Sequence, residues 1–246
     1  MSTTIREDAI LQEVRLHHKV LLPDLAEMLD VSVDTIRRDV KKLHREGKLK
    51  KIHGGAISTD SPPTNQHVYA LTEKRIIATK AQQLIRSDQV LLISGGTTNV
   101  ELARGISHKL RLSVFTPSLP VAEVLCHHPR IELIFIGGKV SKDSRVATGG
   151  AALEMLSGIK VDMCFMGTGY LDNEHGLTTM DWEVAQMKKA MIESSKRVAA
   201  LTISKKLNSH QRYTICDVNT LDFLITELEP DDKILSYYAK QNLEIL

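Results

Sequence analysis

The chain has 246 residues, 42% of them hydrophobic and 25% charged, with a formal net charge of +2; these are ordinary values for a folded globular protein of one large domain or two smaller ones. No apolar run approaches the ~18 residues that a membrane span needs, so a membrane partner is not expected. The charge is uneven: Arg37 to His53 carries eight basic against two acidic side chains, the footprint of a phosphate-backbone binder.

In chain order, MSTTIREDAILQEV carries charges where a secretory leader would carry its apolar region, so secretion is not expected. Cys126, Cys164 and Cys216 form no CxxC pair and cannot all pair internally. A reducing, cytoplasmic setting follows, with each cysteine read as a core residue. Ile10, Leu11 and Val14 recur at helical spacing, and a second short helix is expected over Pro23 to Leu29, with Pro23 near its first position. Ser32 is a natural N-cap. Ile36, Val40 and Leu43 then form one stripe of a third helix that runs to about Glu46 and stops at Gly47.

With that stripe packed inward, Thr35, Arg37, Arg38, Lys41 and Lys42 lie on the outer faces, as a recognition helix presents itself to a major groove. Leu49 and Ile52 alternate with Lys50, Lys51 and His53, and Gly54-Gly55 turns the chain into Ala56-Ile57. This reads as a hairpin, a wing beside the groove. The expected partner is double-stranded DNA, with Arg37 or Arg38 reading a guanine edge and Lys41, Lys42, Lys50 and Lys51 holding phosphates.

STDSPPTNQHVYALT, Ser58 to Thr72, combines Pro-Pro with polar residues and has no period, so it is read as a linker. The expected domains are 1–57, a linker over 58–72, and 73–246. From there β-rich runs recur at Val90–Ile93, Leu112–Thr116, Ile131–Gly137, Val161–Met166, Arg197–Ile203 and Leu221–Thr226. Helical segments lie between several of them, at Thr97–Arg104, Pro120–Cys126, Gly150–Leu156 and Asp181–Ser195, and a last apolar helix is expected over Asp231–Asn242. The fold class is α/β, a winged helix-turn-helix followed by a larger domain with a mostly parallel sheet.

In open α/β sheets ligands bind at the carboxyl ends of strands. Four strand-end turns are small and polar: Ser94-Gly95-Gly96-Thr97-Thr98-Asn99, Thr116-Pro117-Ser118, Gly137-Gly138-Lys139 and Gly167-Thr168-Gly169. Glycines let N–H groups approach an oxyanion, hydroxyls donate to it, and a helix N-terminus adds positive partial charge. Lys205, just past a buried strand, can meet a phosphate or pair with a carboxylate. GxxxxGK[ST] and GxGxxG are both absent or incomplete, so no nucleotide cofactor is expected. The adjacent pairs His17-His18 and His127-His128 point different ways, and no Cys or carboxylate completes a metal set with them. No GxSxG elbow supports a serine nucleophile. Asp181 and Thr179 are read as helix-capping residues and Trp182 as a packing residue.

The order S-x-x-TIRRD (Ser32 to Asp39), G-x-L-x-x-x-HGGA (Gly47 to Ala56), EKRxIAxxA (Glu73 to Ala81), SGGTT (Ser94 to Thr98) and SK (Ser204-Lys205) resembles the DeoR family of bacterial transcription regulators from about Arg6 to Glu227. The resemblance implies a winged helix-turn-helix joined to a sensor domain similar to sugar-phosphate isomerases. It also implies a repressor of sugar or nucleoside catabolism that acts as an oligomer and responds to a phosphorylated sugar. By that resemblance Thr35, Arg37 and Arg38 contact DNA, while Ser94 to Thr98, Thr116 to Ser118, Gly137, Gly138, Gly149 and Lys205 surround the effector. Two positions depart from the pattern: Ile93 and Thr202 stand where family members commonly carry aspartates. Two other readings remain: a constitutive DNA-binding regulator whose second domain only oligomerises, and a sugar-phosphate isomerase-like enzyme. The same two replacements weigh against the enzyme, because they remove natural candidates for a general base.

Overall fold

The computed structural model describes residues 3–17, 19–59 and 69–246. The chain divides into two compact units, residues 1–69 and 70–246. Most of the segment read as a linker, residues 60–68, lies outside the described residues.

The first unit holds α1 (Thr3–His17), β1 (Lys19–Leu21), α2 (Leu22–Met28), α3 (Val33–Arg45), β2 (Leu49–Ile52) and β3 (Gly55–Ser58). Ile10 and Val14 of α1, Leu25 of α2, and Ile36, Val40 and Leu43 of α3 meet with Leu49 and Ala56 in one core. Ser32 caps α3: its Oγ accepts the Thr35 N–H at 3.2 Å. The wing hairpin pairs Lys50 with Ile57 and Lys51 with Ala56. The sequence reading did not foresee β1, which adds a third strand through antiparallel pairing of Val20 with Ala56. That addition explains the double glycine. Gly54 turns at φ +71°, whereas a Cβ on Gly55 would lie 2.3 Å from the Val20 carbonyl oxygen.

The second unit opens with α4 (Leu71–Gln82) and continues with β4 (Val90–Ile93), α5 (Thr97–Arg104), β5 (Leu112–Thr116), α6 (Leu119–Leu125), β6 (Ile131–Phe135), β7 (Lys139–Ser141) and β8 (Val146–Thr148). Then come α7 (Gly150–Ser157), β9 (Met163–Gly167), β10 (Tyr170–Asp172), β11 (Gly176–Thr179), α8 (Trp182–Glu193), β12 (Val198–Leu201), β13 (Tyr213–Cys216), β14 (Phe223–Ile225) and β15 (Glu244–Ile245). The main sheet has seven strands in the order β15-β14-β12-β9-β4-β5-β6, and every pairing in it is parallel. Its central strands are buried throughout, as the unbroken apolar runs Met163–Met166 and Val198–Leu201 require. From β4 the chain builds outward through β5 and β6, then resumes on the other side with β9, β12 and β14. The topological switch point therefore lies between β4 and β9.

Two expectations are corrected. No helix spans 231–242; the segment forms 3-10 turns at Lys233–Leu235 and Tyr238–Lys240. Leu235 and Tyr238 are its buried side chains, while Ile234 and Tyr237 stay exposed. A buried pair three residues apart fits the three-residue period of 3-10 geometry. The Tyr238 hydroxyl donates to the Leu171 carbonyl oxygen at 3.2 Å, which anchors the segment. Of the three cysteines, Cys164 is buried, Cys216 half-buried and Cys126 exposed, so Cys126 is not a core residue.

Candidate functional site

On α3 the apolar stripe turns inward and leaves Arg37, Arg38, Lys41 and Lys42 exposed. Arg37 pairs with Asp34 one turn before it, and Arg38 Nε donates to the Asp34 carbonyl oxygen at 3.3 Å. Thr35 is half-buried, with its hydroxyl 2.9 Å from that of Ser32. Lys50, Lys51 and His53 are exposed on and just beyond β2. Lys42 differs from the others, because its ammonium donates to both carboxylate oxygens of Glu7 on α1, at 2.8 and 2.9 Å. That hydrogen bond, with the negative charge of Glu7, raises the Lys42 pKa above its ordinary value. Asp39, facing α1, accepts from Arg6 Nε at 2.6 Å. The ion pairs of Lys42 and Asp39 thus bolt α1 to α3, and Arg37, Arg38, Lys41, Lys50 and Lys51 form the outward positive surface.

In the second unit the loops after β4 and β9 meet at the switch point. Ser94 is buried, and its Oγ accepts from the Gly167 N–H at 2.8 Å and from Asn99 Nδ2 at 3.1 Å. A Cβ on Gly167 would stand 2.3 Å from the Gly95 carbonyl oxygen, so the two loops touch only because that residue is glycine. Asn99 Nδ2 also donates to the carbonyl oxygens of Ser94 and Phe165, at 2.9 and 3.2 Å, while its buried Oδ1 accepts no hydrogen bond from the described residues. Gly96 precedes α5 with φ 122°, Thr97 is half-buried and Thr98 buried.

The remaining loops continue the rim. Thr116 is buried and donates to the Ile93 carbonyl oxygen at 2.6 Å, and Ser118 caps α6 by accepting from the Val121 N–H at 3.4 Å. Gly138, at φ +146°, runs against the Thr148 carbonyl, and Gly149, at φ 89°, precedes α7. Gly137 and Gly138 lie beyond the end of β6 at the sheet's edge, two strands from β4. The β4, β5 and β9 loops thus surround the switch point, and the Gly137–Gly138 pair flanks it. Lys205 is exposed, within the turn Ser204–Lys206.

Sequence reasoning missed three lysines. Lys188 on α8 donates to the Gly167 carbonyl oxygen at 2.6 Å, and Lys206 donates to that of Thr168 at 3.3 Å. Burial pushes Lys188 down to about 8. Lys206 falls to about 7, through burial first and then through the positive charges of Lys74 and Lys188. Lys74, on the first turn of α4, is itself buried. Lys188 and Lys206 thus meet at the carboxyl end of β9, with Lys74 near enough to act on Lys206 through its charge. A sequence signal existed for two of them: Lys74 shares a helical stripe with Ile77, Ala78 and Ala81, and Lys188 lies one turn from Ala185 and Met191. A lysine on a core-facing stripe needs hydrogen-bond acceptors or a counter-charge there, or it gives up its proton more readily.

The two departures also take shape. Ile93 and Thr202 are buried, and neither side chain carries a carboxylate. Glu227, beyond β14, supplies one nearby: its carboxylate accepts from Ser204 N at 3.0 Å, Ser204 Oγ at 2.5 Å and Thr226 Oγ1 at 2.9 Å. It fixes the turn that carries Lys205 and Lys206.

A winged helix-turn-helix with a basic outer face, followed in the same chain by a parallel α/β domain with small, polar strand-end loops, defines a DNA-binding regulator with a separate sensor domain. Residues 6–62 match the family model described as a DeoR-like helix-turn-helix domain, and residues 70–228 match the DeoR C terminal sensor domain. The chain belongs to the DeoR family of transcription regulators. It is similar to the HTH-type transcriptional repressor GlcR of Bacillus subtilis, at 30% identity over 97% of this chain and 93% of that protein. It is also similar to the glycerol-3-phosphate regulon repressor of Escherichia coli, at 25% identity over 100% of this chain and 99% of that protein. Among solved structures, the tetrameric eIF2B-beta2-delta2 complex from C. thermophilum shares the α/β fold, with a TM-score of 0.50 and 16% identity over 68% of this chain and 60% of that chain. Among the described residues no helix is long and apolar enough to cross a membrane.

Proposed function

We propose that this regulator is a repressor of carbohydrate-catabolism genes, and that a phosphorylated sugar bound at the β4–β9 switch point sets its affinity for operator DNA. The meeting of Lys188 and Lys206 at the end of β9, with the charge of Lys74 acting on Lys206, carries this reading. Lys188 and Lys206 donate to main-chain carbonyl oxygens, which are neutral, and burial holds both below the ordinary lysine value. A dianionic phosphate placed there offsets the desolvation of the ammonium groups and gains their charge-assisted hydrogen bonds. The α5 N-terminus and the glycine-rich loops add N–H donors. Two relatives bear repressor names, one of them for the glycerol-3-phosphate regulon, which supports a phosphorylated catabolite as effector. With Ile93 and Thr202 in place of carboxylates and Glu227 engaged by Ser204 and Thr226, the site favours binding over turnover. The regulator acts as a dimer or a higher oligomer, matched to symmetric half-sites.

Thermal unfolding of the full chain against sugar phosphates and their unphosphorylated counterparts tests this reading. A phosphorylated ligand at ~100 times its Kd adds ~2.7 kcal/mol to the domain that binds it, and its unphosphorylated form leaves the transition in place. A panel without any shift would return the constitutive reading, in which the second domain only oligomerises.

A further inference from the structure

Asp172 closes β10, His175 precedes β11, and His210 lies in the segment that leads into β13. None of the three belongs to the switch-point site. The β11–β13 pairing, Leu177 with Cys216 and Thr178 with Thr214, fixes the two histidine-bearing segments side by side. The segment carrying His210 is held from both ends: Ser209 N donates to the Leu171 carbonyl oxygen at 3.3 Å, and Gln211 N donates to Thr178 Oγ1 at 2.8 Å. The imidazoles stack with centroids 3.9 Å apart and planes 13° from parallel. One ligating atom from each of Asp172, His175 and His210 lies within 4.8 Å of the other two.

The local bonding prepares these groups. Asp172 Oδ1 accepts from the Glu174 N–H at 2.9 Å and the His175 N–H at 3.0 Å, and it lies 2.8 Å from His175 Nδ1. The turn therefore holds the carboxylate beside the His175 ring, and a bound ion takes the place of the proton shared between Asp172 Oδ1 and His175 Nδ1. Two imidazole nitrogens and one carboxylate oxygen are a borderline donor set. It suits zinc or a neighbouring late transition ion, whereas calcium and magnesium call for oxygen ligands alone. Metal–ligand bonds of ~2.0 to 2.2 Å set ligand atoms roughly 3 to 3.5 Å apart; Asp172 Oδ1 and His175 Nδ1, at 2.8 Å, have to part slightly, and rotation of the two exposed histidine side chains adjusts the set to that spacing.

We propose that Asp172, His175 and His210 bind a zinc-type divalent ion, with a fourth position open to water. Bound there, the ion staples the β10–β11 hairpin to the strand that follows Lys206. The site is independent of the phosphate reading, because it shares no residue with it.

The test is zinc binding to the untagged full chain against a chromophoric chelator, in a Cys126→Ser background that removes the exposed thiol. The expected result is one ion per chain, lost in the His175→Gln/His210→Gln double variant and weakened at least tenfold in Asp172→Asn. Circular dichroism confirms that the variants fold, and cobalt loaded in place of zinc gives visible bands of a four-coordinate nitrogen–oxygen site. Zinc binding that survives in the folded double variant, or no binding tighter than millimolar in the parent, overturns the proposal.

Discussion

At the scale of single residues, the two sites make opposite use of positive charge. On α3 and the wing the charges stand in water, where each side chain has a separable role. We propose that Arg37 or Arg38 reads a base edge; replacing the reader by alanine should then cost ~1 to 3 kcal/mol of operator binding and relax specificity, whereas Lys50→Ala should weaken all sequences alike and lower the salt slope by about one. Fluorescence anisotropy over a salt series measures both, and normal binding by both arginine variants would refute the assignment. In the second unit the charges are desolvated, and their titration becomes the signal. Because Lys188 and Lys206 fall to about 8 and about 7, below their unfolded values, the folded chain holds fewer protons than the unfolded chain above pH 7. Their contribution to stability is therefore lost as pH falls through that range and grows as pH rises. A phosphate bound at pH 8 pulls protons back onto them. Calorimetry in buffers of different ionisation enthalpy should show an uptake of roughly one proton in the wild type and less in Lys206→Met. Equal uptake in the two would remove Lys206 from the site.

At the scale of elements, amphipathic helices and buried strands were legible because a period leaves a trace. The helix Thr97–Arg104 was read with both of its boundaries, and Asp181 caps α8 by accepting from Val184 N at 3.2 Å, as its residue type suggests. Contacts between distant segments leave no such trace. The three-residue strand β1 is too short for alternation to show, yet it explains why two glycines follow His53. Gly55→Ala would force a Cβ into the Val20 carbonyl and should cost ~1 to 3 kcal/mol, the range for overpacking. Gly54→Ala meets open space and should cost only the ~1 to 2 kcal/mol of a left-handed backbone. Urea denaturation compares the two, and a Gly55→Ala variant as stable as the wild type would mean that β1 does not pair in solution. The strand-end loops were legible as glycine-rich turns, but the lysines around them come from α4, α8 and the turn after β12. Only the three-dimensional fold assembles that set. The histidines that come together were missed for the same reason: the adjacent pairs draw the eye, while His175 and His210 stand thirty-five positions apart in the sequence.

At the scale of the whole molecule, one chain carries a DNA-reading unit and a sensor unit, and a ligand of the second alters the first only by preferring one state of the regulator over another. The most direct measurement is the affinity of the full chain for a duplex selected from a random pool, with and without a sugar phosphate that shifts its unfolding. A change of at least about fivefold, the lower end of ordinary allosteric coupling, is expected in the wild type, with little or none in Lys206→Met at the same ligand concentration. A ligand that saturates the wild type yet leaves its DNA affinity unchanged would contradict the account, and the second unit would then be a scaffold without a signal.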